Sequence, residues 1–197
     1  MKKIPNEIDN PIDNVLIEGA DRLCPVLYQT GHTPNIITTY SLITGLLSAY
    51  FLYHGKLWLF VLFYTLSYFF DCVDGHFARK YDMITDFGDA YDHFKDIFVF
   101  LIIVYIVFKK CRNRLTFGVF IFVFAFLYLA IFHFSCQQQN CDDKFKGKSD
   151  TYTPSFHFMC KDRKNIHWTR YFGMGTFMFV FMMAVVYICR CDRQCNK

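Results

Sequence analysis

The stretch DCVDGHFARKYDMITDFGDAYDHFKD, residues 71–96, decides the fold class of this chain, because it places seven aspartates between two apolar segments. Residues 57–70 before it and residues 97–108 after it contain no charged side chain. An ionisable residue within a membrane helix carries a free-energy penalty and is usually functional. The penalty is smaller at the ends of the helix than at its centre. The pattern predicts two membrane helices whose neighbouring ends gather carboxylates, with a solvated polar connection as the plainer interpretation.

The composition predicts an all-α integral membrane protein. The chain is 54% hydrophobic and 20% aromatic, which is unusual for a soluble domain of 197 residues. A membrane helix needs roughly 20 mostly apolar residues. We expect about five to six transmembrane helices, because five segments approach or reach that length: residues 36–53, 57–70 or 57–73, 97–108 or 91–108, 115–134 and 171–189.

The segment before the first span predicts an amphipathic juxtamembrane helix over residues 10–29. Asn10 is a good N-cap, Pro11 suits a first helical turn, and apolar residues then recur close to helical spacing. A poorly ordered tail is the alternative. No signal peptide is apparent. The expected organisation is a flexible N-terminus (1–9), one membrane domain (10–190) with a polar loop (135–168), and a C-terminal tail (191–197).

Charge and cysteine content argue against other classes of protein. The net charge of +4 is modest, and we do not expect so apolar a chain to bind nucleic acid. We expect the basic residues in the short connections to lie against lipid headgroups. The nine cysteines form no CxxC pair, which argues against a structural zinc site. Mostly reduced thiols are expected.

The spacing of four aspartates predicts a cation site. Asp71 and Asp74 are three residues apart, and Asp92 and Asp96 are four apart, so each pair shares one face of a helix. Four converging carboxylates cannot all stay ionised without a counter-charge. Oxygen ligands suit Mg²⁺ or Mn²⁺, and two such ions can clamp a diphosphate during displacement at phosphorus.

Residues between the two acidic pairs suit a phosphate-bearing ligand. Gly75 lets the backbone approach a ligand closely, and Ala78 keeps the same wall small. Arg79 supplies a planar fork for phosphate oxygens. Thr85 offers a hydroxyl group, and Gly88 again removes a side chain.

The whole pattern resembles the signature of the class-I CDP-alcohol phosphotransferase family at each of its eight fixed positions. The flanking spans and TPNIIT at residues 33–38 extend the likeness to about residues 30–135. Relatives commonly have a core of six spans, so the last core helix is either missing here or hidden in the polar loop. The matching pattern is Asp71-x2-Asp74-Gly75-x2-Ala78-Arg79-x8-Gly88-x3-Asp92-x3-Asp96.

The resemblance implies both a reaction and roles for individual residues. An acceptor hydroxyl would attack the β-phosphorus of a CDP-linked alcohol, and CMP would leave. The four motif aspartates would surround two ions of Mg²⁺ or Mn²⁺, with Asp96 as the base. The residues that would bind the CDP-alcohol are Asn35, Thr38, Gly75, Ala78, Arg79, Thr85 and Gly88.

The sequence leaves the substrate pair open. The length of the chain favours phosphatidyl transfer from CDP-diacylglycerol to a polar alcohol such as inositol, glycerol phosphate or serine. The entry segment and the Asp92-His93 pair instead resemble the choline and ethanolamine phosphotransferases, which use a CDP-aminoalcohol and diacylglycerol. His93 is either a partner of the neighbouring ligand or simply a polar residue at a helix end. A non-catalytic lipid-binding or interaction protein and a small channel or transporter are the alternatives from other classes.

The expected setting is a multi-pass membrane protein whose partners are a CDP-linked lipid or alcohol and the surrounding lipids. The resemblance places the motif on the cytosolic side, since CDP-linked substrates are made there. Basic residues occur in several connections and do not determine the orientation. We also allow for a homodimer.

Overall fold

The computed structural model describes residues 5–110, 114–138, 166 and 168–195, and these form six α-helices without a β-strand. The expected all-α architecture is confirmed. A short 3₁₀ turn at Arg170–Phe172 precedes the last helix. The helices are α1 (Pro11–Gln29), α2 (Pro34–Tyr53), α3 (Leu57–Lys80), α4 (Asp86–Lys110), α5 (Arg114–Gln138) and α6 (Met174–Cys195).

Helix α1 begins where the capping residues predict. The Asn10 side chain accepts a hydrogen bond from the Ile12 amide at 3.0 Å, and Pro11 occupies the first helical position. One face of α1 is buried against α3, where Ala20 and Cys24 belong to a small apolar cluster with Ile37, Val73 and Phe77. This contact fixes α1 beside the acid-bearing half of α3.

Helices α2 and α3 form an antiparallel hairpin joined by the tight turn at residues 54–56. Gly55 has a positive φ of 70°, which glycine adopts without strain. Small residues then allow close packing: the Ser41 hydroxyl donates to the Ser67 carbonyl at 2.8 Å, and the Ser67 hydroxyl donates back to the Ser41 carbonyl at 2.8 Å. A Cβ at Gly45 would lie 2.9 Å from the Val99 side chain of α4. The three helices therefore pack closely about one helical turn before the acidic stretch of α3.

The main core lies among α2 to α6. Phe60 and Tyr64 of α3, Ile103 of α4, Val123 of α5 and Phe181 of α6 are all buried in it. Within lipid, such helices are held mainly by close packing, because lipid tails are as apolar as the side chains themselves. The outer surface is also apolar, and its exposed large side chains include Leu62, Leu101, Phe122 and Phe179. Together these features are those of a membrane protein.

Four of the described helices are long and apolar enough to cross a membrane by length and composition. They are α2, α3, residues 116–133 of α5 and residues 174–191 of α6. Helix α4 spans 25 residues but is not among them. Its first turns carry the acidic residues, so only its second half is continuously apolar. The sequence predicted five spans, whereas four of the described helices meet the criteria for a span. The fifth, α4, is long but polar in its first half and apolar in its second.

Several sequence predictions fall partly or wholly outside the described residues. Most of the polar loop, residues 139–165, lies there, and so does any sixth span within it. Residues 1–4, 111–113 and 196–197 lie there as well. Residues 5–9, predicted to be flexible, form a turn in which the Ile8 amide donates to the Pro5 carbonyl at 3.1 Å. Among the described cysteines, Cys24, Cys72, Cys189 and Cys191 form no disulfide, whereas Cys136 is disulfide-bonded.

Candidate metal and nucleotide site

The two halves of the acidic stretch face each other because α3 continues well past its apolar part. Helix α3 runs on through Asp71 and Asp74 to Lys80, and the chain then reverses within five residues. Asp82 in this reversal has a φ of 54°, a left-handed conformation that Asp tolerates better than most residues. The Thr85 hydroxyl accepts a hydrogen bond from the Gly88 amide at 3.0 Å, which stabilises the start of α4.

Three of the four motif aspartates form a group that could hold a cation. Asp71, Asp74 and Asp92 each offer an oxygen, and these oxygens lie within 4.8 Å of one another. Asp74 is 5% exposed, and its Oδ2 atom is buried without a hydrogen-bond partner. A buried carboxylate oxygen without a partner is costly. A hard divalent cation would satisfy it, so the donor set fits Mg²⁺ or Mn²⁺.

The fourth aspartate, Asp96, contacts a lysine. Lys95 Nζ lies 2.7 Å from Asp96 Oδ1 and 3.1 Å from Asp92 Oδ1, and it also forms an ion pair with Asp71. Its remaining contact is the Ser41 hydroxyl at 3.2 Å. Lys95 is 1% exposed. Sequence reasoning missed this residue, although a lysine between two predicted ligands, on a helix entering the membrane, was a usable signal.

A polar cavity opens on the Asp74 side of the acids. Asp74 and Asp92 line it, so its wall includes two members of the candidate cation site. The seven residues predicted to bind the CDP-alcohol all line it too: Asn35, Thr38, Gly75, Ala78, Arg79, Thr85 and Gly88. The sequence prediction did not include the remaining lining residues, which are Pro34, Met83, Ile84 and Asp89.

Two glycines keep the wall of this polar cavity thin. A Cβ at Gly75 would lie 3.2 Å from the Arg79 guanidinium, which would have to shift. A Cβ at Gly88 would lie 3.0 Å from the Thr85 hydroxyl and 3.1 Å from the Asn35 side-chain oxygen. The glycines thus leave the polar groups around them in place and the backbone accessible to a ligand.

A second, mostly apolar cavity borders the two motif aspartates that do not line the polar cavity. Asp71, Lys95 and Asp96 line one part of it. Most of its other walls are apolar or aromatic side chains of α3 to α6: Tyr64, Tyr68, Ile97, Val99, Phe100, Leu127, Met174, Phe177 and Met178. The acids therefore stand between a polar space and an apolar one.

The other acids of the stretch are placed differently. Asp82, Asp86 and Asp89 are exposed, and none belongs to the group of three around the candidate cation site. Asp89 nevertheless lines the polar cavity. The His93 ring nitrogen Nδ1 lies 2.8 Å from the Asp89 carbonyl, so the described contact of this histidine is with its own helix.

Two carboxylates of α1 form contacts that the sequence did not suggest. Asp13 accepts hydrogen bonds from the Tyr68 hydroxyl at 2.6 Å and from the Gly175 amide at 3.2 Å. Burial raises the pKa of Asp13 to about 6. Asp21 accepts from Lys80 at 2.7 Å and contacts His76 at 2.9 Å, and these two hydrogen bonds lower its pKa to about 2. These contacts fasten α1 to α3 and α6.

Comparison with known proteins agrees with this geometry. A model of the CDP-alcohol phosphatidyltransferase family matches residues 31–190 of the 197-residue chain. The match extends past the 30–135 range of the sequence likeness, and it includes the acidic stretch and both cavities. No curated protein and no solved structure matches the chain. The chain therefore belongs to the CDP-alcohol phosphatidyltransferase family.

Proposed function

We propose that this protein transfers a phosphatidyl group from CDP-diacylglycerol to the hydroxyl of a polar alcohol and releases CMP. Family membership supports the general reaction, which is phosphotransfer in phospholipid synthesis by an enzyme of this kind. The observation that carries the proposal is the position of the acids between a polar and an apolar cavity. A substrate that joins a nucleotide to a lipid needs a polar space on one side of its diphosphate and an apolar space on the other.

The family is generally metal-dependent, and we propose Mg²⁺ or Mn²⁺ as the ion. Asp71, Asp74 and Asp92 would hold it, because their oxygens converge and Asp74 Oδ2 is without a hydrogen-bond partner. When bound, such an ion neutralises diphosphate charge and stabilises the charge that develops at phosphorus. The second ion expected from the resemblance would need Asp96, whose Oδ1 atom contacts Lys95.

The residues of the polar cavity would bind the nucleotide end of the substrate. Arg79 supplies the planar guanidinium that suits phosphate oxygens. Gly75 and Gly88 leave the backbone accessible, while Asn35 and Thr85 add polar side-chain atoms at the far wall. These residues would position the diphosphate, so that its β-phosphorus lies at the acids.

Asp96 is our candidate for the general base. It lines the apolar cavity, and its side chain is 49% exposed, so an acceptor hydroxyl can approach it. The acceptor oxygen would form a new bond to the β-phosphorus while its proton passes to Asp96. The bond from the β-phosphorus to the bridging oxygen would break, and CMP would leave with that electron pair.

One observation favours a second candidate reaction. Asp96, the proposed base, faces the apolar cavity rather than the polar one. A lipid alcohol such as diacylglycerol could reach it there. The corresponding enzyme would transfer phosphocholine or phosphoethanolamine from a CDP-aminoalcohol, with the same residues in the same roles.

We propose that the motif faces the cytosol, where CDP-linked substrates are made. Cys136 provides a test of this orientation, because it packs beside Ile8, just before α1, at the acid-bearing end of the bundle. Disulfides persist mainly on oxidising faces. On sealed vesicles of known orientation, an impermeant thiol reagent that labels Cys136 only after reduction, and only from the luminal face, would contradict a cytosolic motif.

The proposed function is tested with the purified chain and a panel of substrates. Radiolabelled CDP-diacylglycerol would be offered with inositol, glycerol phosphate or serine, and radiolabelled CDP-choline or CDP-ethanolamine with diacylglycerol. A labelled phospholipid and CMP that appear with Mg²⁺ or Mn²⁺, and disappear with excess EDTA, would support the proposal. The donor that reacts decides between the two candidate reactions.

An Asp74→Asn variant is the matched control, since it keeps the side-chain shape and loses a proposed ligand. If the chain is folded in detergent and forms no product with any substrate pair, the result would favour a non-catalytic lipid-binding protein. Full activity in EDTA would contradict metal dependence.

A further inference from the structure

The contacts of Lys95 bear on how many metal ions this centre can hold. The side chain is on the buried row of α4 that also contains Val99 and Ile103. It is 1% exposed, and the Ser41 hydroxyl lies 3.2 Å from its Nζ atom. The direction of this row is set by the packing of α4 on α2, where Gly45 meets Val99. The packing of α4 on α2 therefore directs the ammonium group towards the acids.

The lysine and the candidate cation site use different sets of three carboxylates. The group whose oxygens converge for a cation is Asp71, Asp74 and Asp92. The group in ion pairs with Lys95 Nζ is Asp71, Asp92 and Asp96. The two sets share Asp71 and Asp92, and they differ only in the third member. Two neighbouring cation positions thus exist on one acidic cluster, and the ammonium occupies the one nearer Asp96.

A second divalent ion and the ammonium would compete for the same oxygens. Two-metal sites hold their ions about 3.5–4 Å apart, bridged by shared carboxylates. Mg²⁺ binds oxygen at about 2.0–2.1 Å, so a second ion bound to the three oxygens that Lys95 Nζ contacts would lie at the position of the ammonium group.

We propose that this centre binds a single divalent ion and that Lys95 takes the place of the second. The inference rests on the proposed function, in which Asp71, Asp74 and Asp92 hold a metal. Lys95 then serves as a built-in cation that positions Asp96 and balances the charge of Asp71 and Asp92. Its contact is with one oxygen of Asp96, so the other oxygen can receive a proton.

The experiment counts bound Mn²⁺ in the full chain purified in detergent, with Mn²⁺ alone and again with CMP. Electron paramagnetic resonance gives the number of ions bound and distinguishes an isolated ion from an exchange-coupled pair. We expect one isolated ion in the wild type. We expect two coupled ions in Lys95→Ala, because the substitution frees three carboxylates and the space beside them.

Lys80→Ala is the matched control, since Lys80 also contacts a carboxylate but lies at Asp21, away from the acids. It should bind one ion, as the wild type does. Two coupled ions in the wild type would overturn the inference and leave the proposed function intact. One ion in both the wild type and Lys95→Ala would show that Lys95 is not what excludes the second ion. If Lys95→Ala does not fold, the wild-type count decides.

A wild type that binds no Mn²⁺, with or without CMP, would contradict the metal dependence of the proposed function itself. This outcome differs from a count of two bound ions, which would overturn only the inference about Lys95. Turnover is not needed for any of these readings, so an inactive preparation or a wrong substrate pair does not obscure the result.

Discussion

The acids at the α3–α4 junction and the acids of α1 differ in how many hydrogen-bond donors surround them. Asp13 and Asp21 of α1 each receive two contacts from groups that can donate hydrogen bonds. At the α3–α4 junction, three carboxylates share the Lys95 ammonium, and Asp74 Oδ2 accepts no hydrogen bond. Well-partnered carboxylates hold helices together, whereas a cluster short of donors is arranged for a ligand.

The strongest test of this comparison is Asp74→Asn. The amide keeps the size of the side chain but removes the charge of a carboxylate whose Oδ2 atom is buried without a hydrogen-bond partner. We expect turnover to fall by about 10³–10⁵-fold, the scale seen when a group that neutralises charge in phosphoryl transfer is lost. Mn²⁺ affinity should fall as well, while the unfolding temperature in detergent changes little. Turnover close to that of the wild type would remove Asp74 from the site.

Asp96→Asn should be the next largest effect. The variant keeps its shape and one oxygen but cannot accept the proton of the acceptor hydroxyl. Loss of a general base costs about 10²–10⁴-fold in turnover. Nucleotide affinity, measured by CMP binding, should remain within the range of the wild type, in contrast to Asp74→Asn. A loss of activity that is explained by lost nucleotide binding would show that Asp96 is not the base.

The sequence predicted the junction well, because its information is local. Spacings of three and four residues place Asp71 and Asp74 on one face of a helix, and likewise Asp92 and Asp96. A short reversal of the chain then brings the two pairs together. The stretch at residues 71–96 and the entry segment at residues 33–38 together gave the seven residues predicted to bind the CDP-alcohol, and all seven line the polar cavity. Whether these residues bind a nucleotide stays a prediction.

The features that the sequence did not predict depend on contacts between residues far apart in the chain, or on the direction in which a long side chain points. The Asp13 contacts join residues 55 and 162 positions apart, which no periodicity reveals. Lys95 lies between two motif positions, and only the packing of α4 on α2 shows that its long side chain turns inward. The span count changed for a related reason, since charges that face a buried site make α4 appear too polar to cross a membrane.

Gly88→Ala sharpens the comparison within the polar cavity. Its new methyl group would lie 3.0 Å from the Thr85 hydroxyl and 3.1 Å from Asn35. Crowding of this kind costs about 1–3 kcal/mol, so we expect KM for the CDP substrate to rise by about tenfold. Gly118→Ala is the matched control, because a Cβ at Gly118 meets nothing within 4 Å. Equal KM values for both variants would argue against nucleotide binding at this wall.

Asp13 gives a prediction for the α1 acids that depends on pH. Burial raises its pKa from the ordinary 3.8 to about 6, so the folded chain binds more protons than the unfolded chain between these values. The contribution of Asp13 to stability should therefore be complete below about pH 4 and decrease as the pH rises through 6. Thermal unfolding of the wild type and of Asp13→Asn in detergent, from pH 4 to 7, should show a difference that changes in this direction.

Asp21→Asn serves as the contrast for Asp13. The pKa of Asp21 is lowered to about 2 by Lys80 and His76, so its stabilising contribution is present above its ordinary pKa and is lost only as the pH falls through 2. The Asp21 carboxylate thus stays ionised from pH 4 to 7, and the difference between wild type and Asp21→Asn should change in this range only where its partner His76 titrates. The same pH profile for both variants would contradict the assigned surroundings of Asp13.

The smallest effect is expected for Asp82→Asn and Asp86→Asn. Both side chains are exposed and lie outside the group of three that could hold a cation. Asparagine also tolerates the left-handed backbone at Asp82, where φ is 54°, so the turn should persist. Exposed substitutions of this kind usually change stability by less than about 0.5 kcal/mol, and turnover and Mn²⁺ affinity should stay close to wild type.

Asp89→Asn completes this series, because Asp89 is exposed like the other two but lines the polar cavity. It should raise KM for the CDP substrate more than Asp82→Asn or Asp86→Asn does, while Mn²⁺ binding stays unchanged. Parallel assays of the three variants provide the measurement. If Asp82→Asn or Asp86→Asn abolishes turnover or Mn²⁺ binding, the ligands extend into the reversal, and the division between the junction acids and the solvated acids is wrong.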